Sequence, residues 1–190
     1  MKYNLEDIKV YLENNLSRER YAHSIRVAEE AKELAKYYGV NEENTYIAGL
    51  LHDIAKEYDR DLNKYWIDKY NLDKSLLDSS NSKICHALVG SVVAKELFGV
   101  SEDIARAIKY HTIGNINMTL LDKIIFVADK IENGKDYPGI DEERRLAYKD
   151  IDKALLKCIQ NSKVVLENKG RCLHEDTVKL LQNLQAKFRD

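Results

Sequence analysis

The sequence is poor in the residues that interrupt helices, with one proline, Pro138, and eight glycines in 190 residues. Proline breaks helix interiors and glycine loosens them, so their scarcity leaves few enforced breaks and suits long helices. Thiol chemistry is equally thin. The three cysteines, Cys85, Cys158 and Cys172, are odd in number, far apart and never in a Cys-x-x-Cys pair, which argues against a disulfide framework or a thiolate zinc site. No apolar run approaches the roughly 20 residues that cross a bilayer, and the opening MKYNLEDIKVYLENN has no signal-peptide core. Charge of one sign is missing too: 30 Lys and Arg against 32 Asp and Glu leave a net charge of −2. A stripe of cations able to track nucleic-acid phosphates would push that balance well positive. These absences predict a cytoplasmic protein that engages neither membrane nor nucleic acid, while a local basic pocket for a small phosphate compound stays compatible with them. The length suits one domain spanning residues 1–190.

What is present is helical spacing. Leu5, Ile8, Leu12 and Leu16 recur at three- and four-residue steps behind Asn4, a natural N-cap. A second helix is predicted over 18–38, stopping at Gly39, and a third over 43–57. Short helices are expected within 61–82, then one in each of SKICHALVGSVVAKELFG, SEDIARAIKYHT and NMTLLDKIIFVADKIE. Taken alone, IIFVA also fits a buried strand, but nothing nearby would pair with it. KDYPGIDEE reads as a loop, and helices over 142–168 and 175–188 close the chain. The fold class is therefore all-α.

Four of the five histidines lie on the apolar faces of their predicted helices. With about 100° between successive residues, His23 aligns with Val27 and Leu34, His86 with Val93, and His111 with Ile104 and Ala107; His52 sits inside AGLLHDIAK. Asp129 aligns with Ile125 and Asp122 beneath an apolar run, and Asp53 adjoins His52. One such histidine is ordinarily a core residue bonded to a carbonyl, and one helical Asp is ordinarily exposed or capping. Six inward polar groups together would leave many atoms unsatisfied unless something shared them, and a metal does so. Imidazole and carboxylate without thiolate suit iron, manganese, cobalt or zinc. Six ligands exceed the needs of one open ion, so two ions fit better, with the Asp53 carboxylate bridging them. Two divalent ions against two carboxylates leave a positive centre suited to phosphate oxygens.

The pattern of His23, His52 with Asp53, His86, His111 and Asp129 resembles the HD-domain metal-dependent phosphohydrolases. RYAHSIRVAEEA, AGLLHDIAK, AIKYHTIGNINM, LLDKIIFVADKIENGKDYPGI, RRLAYKDID and, near the C-terminus, LHEDT resemble the YqeK-like branch in particular, over about residues 18–152. The resemblance implies a helical HD-domain bundle with residues 153–190 packing on its metal-site core. It implies a symmetrical bis(5′-nucleosyl)-tetraphosphatase that uses a two-iron centre to split diadenosine tetraphosphate into two ADP, and a homodimer. The sequence departs from that branch at Asn133, where proline is frequent, at Lys135, where arginine is frequent, and at His86-Ala87-Leu88, in place of His-Gly-Pro. Lysine keeps the charge but loses the two-pronged phosphate contact.

On this reading His23, His52, Asp53, His86, His111 and Asp129 hold the metals, and a hydroxide between the ions attacks phosphorus in line with the leaving ADP. Asp53, Lys56 and Thr112 are the expected catalytic groups. Arg20, Thr112, Gly114 and Lys130 are expected at the substrate, Gly114 either by close backbone approach or merely by ending its helix. The resemblance adds Lys135 and Tyr137 from the loop. His174 reads as ordinary terminal chemistry. Two other readings stay open: an HD enzyme acting on another nucleotide or phosphate ester, and a nucleotide-binding regulatory module without turnover.

Overall fold

A computed structural model describes residues 4–78 and 82–189, and every regular element among them is helical. Ten α-helices are present in the described residues: α1 (Leu5–Asn15), α2 (Arg18–Tyr38), α3 (Glu42–Leu51), α4 (Arg60–Lys69), α5 (Ser82–Phe98), α6 (Glu102–Tyr110), α7 (Leu120–Ile131), α8 (Ile140–Ala147), α9 (Ile151–Glu167) and α10 (Glu175–Lys187). A 3₁₀ turn, Lys74–Leu77, separates α4 from α5. The all-α class expected from the sequence is what forms.

Local chemistry sets most boundaries. Asn4, Ser17, Asn41, Asp59 and Ser101 each accept a hydrogen bond from a main-chain amide at a helix start, satisfying donors that the helix leaves open. Thr119 and Asp122 cap α7 reciprocally. α2 ends where the sequence says it should, with Gly39 left-handed at φ 69°.

Two expectations change and a third holds. The helix predicted over 43–57 stops at Leu51, and residues 52–57 run on as tight turns. The helix predicted over 142–168 is two, α8 and α9, because Asp150 accepts from the amides of Asp152 and Lys153 and starts a new helix. Within 61–82 short helices do form, as α4 and the 3₁₀ turn, while residues 79–81 of that segment lie outside the described residues.

α7 is the central element, packed by α2, α3, α6, α8 and α9. Ile124 through Ala128 are all buried, as is Ile131. That explains IIFVA: a helix enclosed on most sides can be apolar nearly all round. α2 lies along α3, α5 covers α6 and α4, and α10 rests on α9. The α2–α3 contact is close because Gly49 has no side chain; a Cβ there would come within 2.8 Å of the Ala28 Cα. No helix among the described residues is long and apolar enough to cross a membrane.

Gly49→Ala should therefore push main chain against main chain. Overpacking of this kind costs about 1–3 kcal/mol, which for a chain of this size lowers Tm by roughly 2–4 °C per kcal/mol. Thermal unfolding followed by circular dichroism checks it, and an unchanged Tm would refute the tight α2–α3 contact.

Candidate metal centre

His23 projects from α2 and Asp129 from α7, two helices in direct contact. His52 and Asp53 follow the end of α3. Successive residues of a continuing helix diverge by about 100°, and the tight turns after Leu51 let both side chains serve one place. Those turns are closed by the Ile54 amide on Leu51 O at 3.0 Å and the Lys56 amide on Asp53 O at 2.9 Å. The His52 imidazole donates from Nδ1 to the Gly49 carbonyl at 2.6 Å. His111 repeats the device at the end of α6, donating from Nδ1 to Ile108 O at 2.6 Å. His86 comes from α5, and all four histidines and Asp53 are buried.

All six expected metal residues meet. The Nε2 of His23 lies 3.1 Å from Asp129 Oδ1, and the Nε2 of His52 lies 3.8 Å from that oxygen and 3.5 Å from Asp53 Oδ2. Asp53 Oδ1 faces the Nε2 atoms of His86 at 3.2 Å and His111 at 3.4 Å. Two groups of three have ligand atoms all within 4.8 Å of one another, His23–His52–Asp129 and His52–Asp53–His111. His52 belongs to both.

The proton positions show why these atoms fit a cation. Where Nδ1 donates to a carbonyl, a neutral imidazole has only a lone pair at Nε2. Those lone pairs point at carboxylate oxygens, which also only accept. The Nε2 of His23 and of His52 and the Oδ1 of Asp53 are buried without a hydrogen bond. Acceptors aimed at acceptors repel unless a positive charge lies among them.

A proton can do part of that work. Burial pushes the His52 pKa down, but the Asp53 carboxylate beside it outweighs this, and the net shift is upward. His111 goes the other way, pushed down to about 4 by burial with Asp53 opposing. Its lone pair stays directed at Asp53. Burial disfavours the Asp53 charge, yet His52, His111 and His86 hold the carboxyl well below its ordinary range. Asp129 is likewise held low, by Lys130 and His23 against burial.

Three cations close the rim: Arg20 reaches Asp53 Oδ2 at 3.0 Å, Lys56 reaches Asp53 Oδ1 at 3.5 Å and Lys130 reaches Asp129 Oδ2 at 2.7 Å. Lys56 also donates to His86 Nε2 at 3.1 Å, and burial lowers its pKa. It arrives through the 52–57 turns, not along the helix face that the sequence suggested. Beside it a cavity of about 170 Å³ is lined by Lys56, Tyr58, Arg60, Asn63, Cys85 and His86, among others. The Thr112 hydroxyl, next to His111, is buried and unpartnered.

Other expected substrate residues are placed differently. Gly114 ends the α6 segment, its amide on Tyr110 O at 2.9 Å and its φ at 69°. A Cβ on it would run into Leu180 Cδ2, so its bareness leaves room for α10. The Tyr137 hydroxyl donates to the Glu143 carboxylate, with Lys130 O 3.1 Å away as a second acceptor. Burial and Glu143 raise its pKa. Lys135 lies with Tyr137 and Arg144 along an open groove of the 133–141 loop. Asp122, in line with Asp129, is taken up by Arg106 Nε at 3.0 Å and by the α7 cap. His174 caps α10.

The sequence reading passed over Glu132, Arg26 and Arg144. Arg144 donates to the carbonyls of Ile131, Glu132 and Lys135 at 3.0–3.1 Å, holding the end of α7. Glu132 is buried and faces His23 Nδ1 at 3.2 Å. A signal existed: Glu132 follows Asp129 by three residues and Ile125 by seven, one helix face.

Known proteins resemble this chain over most of its length. The HD domain family model matches residues 20–134. The symmetrical bis(5′-nucleosyl)-tetraphosphatase of Bacillus subtilis is 38% identical over 175 residues, covering 92% of this chain and 94% of its own. The protein of the same description from Staphylococcus aureus is 37% identical over 183 residues, covering 94% and 93%. A crystal structure from Clostridium acetobutylicum, described as a predicted HD superfamily hydrolase involved in NAD metabolism, superposes with a TM-score of 0.90 at 36% identity. It covers 98% of this chain and 100% of that one.

The low pKa of His111 gives a signed pH dependence for the metal-free protein. Its folded value of about 4 lies below the ordinary 6.5, so its contribution is full above pH 6.5 and is lost as pH falls toward 4. At pH 5 the loss is on the order of 2 kcal/mol. Urea unfolding at pH 7 and pH 5 should show wild type losing more stability than His111→Gln; equal losses would contradict the assignment.

Proposed function

The chain belongs to the HD-domain family, and from that premise we propose that it hydrolyses diadenosine tetraphosphate symmetrically, releasing two ADP with the help of two metal ions. The observation carrying the metal half of this reading is the set of lone pairs from His23, His52 and His111 directed at the oxygens of Asp53 and Asp129. The substrate half is supported by the relatives named as symmetrical tetraphosphatases over nearly their whole length.

We assign His23, His52 and Asp129 as the residues that would hold one ion and His86 and His111 as those that would hold the other, with Asp53 shared between them. Iron is our choice for both, on the family resemblance, since these nitrogen and oxygen donors also accept manganese, cobalt and zinc. Bound ions would supply Lewis acidity, neutralising phosphoryl oxygens and lowering the pKa of water toward neutrality.

The rest is done by the chain. A polyphosphate brings negative charge that repels a nucleophile. Arg20, Lys56 and Lys130 stand at the carboxylates of Asp53 and Asp129, cations that a phosphate at the centre would meet. Lys56, its pKa lowered by burial, is placed to give a hydrogen bond or a proton to an oxygen at the centre. The Thr112 hydroxyl, buried without a partner, has a hydrogen bond to donate to a phosphate. Lys135 can reach a more distant phosphate or ribose from the loop. Burial of the centre removes competing water and strengthens each of these contacts.

A second reading, action on another nucleotide, is favoured by the description of the Clostridium acetobutylicum relative as involved in NAD metabolism. Product identity separates the two. Incubation of the iron-loaded protein with diadenosine tetraphosphate, followed by anion-exchange chromatography, should yield ADP alone. ATP with AMP would mean asymmetric cleavage, and no turnover would favour the second reading. Asp53→Ala should lower activity by roughly 10³-fold or more, the scale of a lost electrostatic group, and should lower bound metal with it. Full activity with one ion lost would overturn the bridging role.

A further inference from the structure

The His23 imidazole is held differently from those of His52 and His111. The latter two donate from Nδ1 to neutral main-chain carbonyls, Gly49 O and Ile108 O. His23 Nδ1 lies 3.2 Å from a carboxylate oxygen, Oε1 of Glu132, and since a carboxylate only accepts, the imidazole is the donor.

Glu132 is 1% exposed at the end of α7, one turn beyond Asp129. Its other oxygen, Oε2, receives Arg26 Nε at 2.6 Å and the Gly134 amide at 2.6 Å. Arg26 follows His23 by three residues on α2, so guanidinium and imidazole approach one carboxylate from one helix face. Gly134 leaves the room: a Cβ there would come within 2.5 Å of Arg26 Nε. Two donors on Oε2 and two on Oε1, His23 Nδ1 and, at 3.5 Å, Arg26 Nη2, suit an ionised carboxylate held in one orientation.

We infer that Glu132 is a positioning residue that makes the two metal positions unequal, pinning His23 and raising the basicity of its Nε2 toward the ion shared with His52 and Asp129. An anionic acceptor on one ring nitrogen pushes electron density to the other, and a neutral carbonyl does so less. The effect is confined to one side. Glu132 bonds to the His23 imidazole, whereas His111 is oriented by a main-chain carbonyl, so that charge acts through His23 and has no bond to His111. This rests on the two-metal reading above.

The test is calorimetric titration of metal-free protein with Mn²⁺ alone, wild type against E132Q. Glutamine keeps the size and one acceptor oxygen and removes the charge. Wild type should take up two Mn²⁺ per chain. E132Q should also take up two, one of them bound about 10–100-fold more weakly and the other within about twofold of wild type. Its Mn²⁺-supported kcat should fall with KM little changed, and excess Mn²⁺ should restore it, which a merely structural lesion would not allow. Should E132Q not fold, R26Q/E132Q replaces the ion pair with a neutral pair and carries the same test. Equal weakening at both positions, or none at either, overturns the inference. A wild type that binds fewer than two ions overturns the two-metal reading itself, and the inference with it, at an earlier and separate step.

Discussion

A carboxylate that is 2% exposed and faces three imidazoles, as Asp53 does, sets the terms for the rest of the molecule. Taking such a group out of water is costly unless its charge is met. Here it is met by groups from four separate places: the His52 turn, α5, the end of α6, and the Arg20 guanidinium of α2. No single helix could supply them. The bundle must bring these elements to one point, and the long-range packing of α2, α3, α6 and α7 does so.

The same constraint explains why two helices end where they do. α3 and α6 both stop immediately before a histidine, and each histidine turns back to the carbonyl three residues earlier. That bond satisfies a main-chain oxygen that a helix end would otherwise leave open, and it fixes which ring nitrogen faces inward. Helix termination and ligand orientation are one event. On the far side, α8 and the loop before it act in a related way. Arg144 occupies three carbonyls at the end of α7, and Tyr137 ties Lys130 O to Glu143. The segment carrying Asp129 and Glu132 is thus held from the C-terminal part of the chain.

Periodicity made the helices and the six inward residues legible, because burial of an apolar face is a repeating property. It could not show that 43–57 divides at Leu51, since AGLLHDIAK keeps helical spacing through the turn and the break depends on a side-chain bond to Gly49. Asp150 was visible as a capping residue type, yet the amides that it caps matter only once α8 and α9 are seen to diverge. Gly114 illustrates a different gap. Its sequence neighbours allowed either substrate approach or helix termination, and the atom for which its missing side chain leaves room, Leu180 Cδ2, is remote in sequence. Glu132 was on the face already recognised through Asp129, and was hidden only because a glutamate at a helix end is ordinarily solvated.

The three rim cations connect metal binding to substrate binding. Arg20, Lys56 and Lys130 neutralise the carboxylates of Asp53 and Asp129, so the three cations and two carboxylates leave one net positive charge. Two divalent ions on the same carboxylates would add four more, and the cations would then face like charge at the oxygens where they now rest. Their favourable move is toward an anion. On the proposed reading, a polyphosphate would meet both needs. Metal loading, on that same reading, would prepare the anion site as well as the reaction, and each would strengthen the other, since thermodynamic coupling between two ligands is reciprocal.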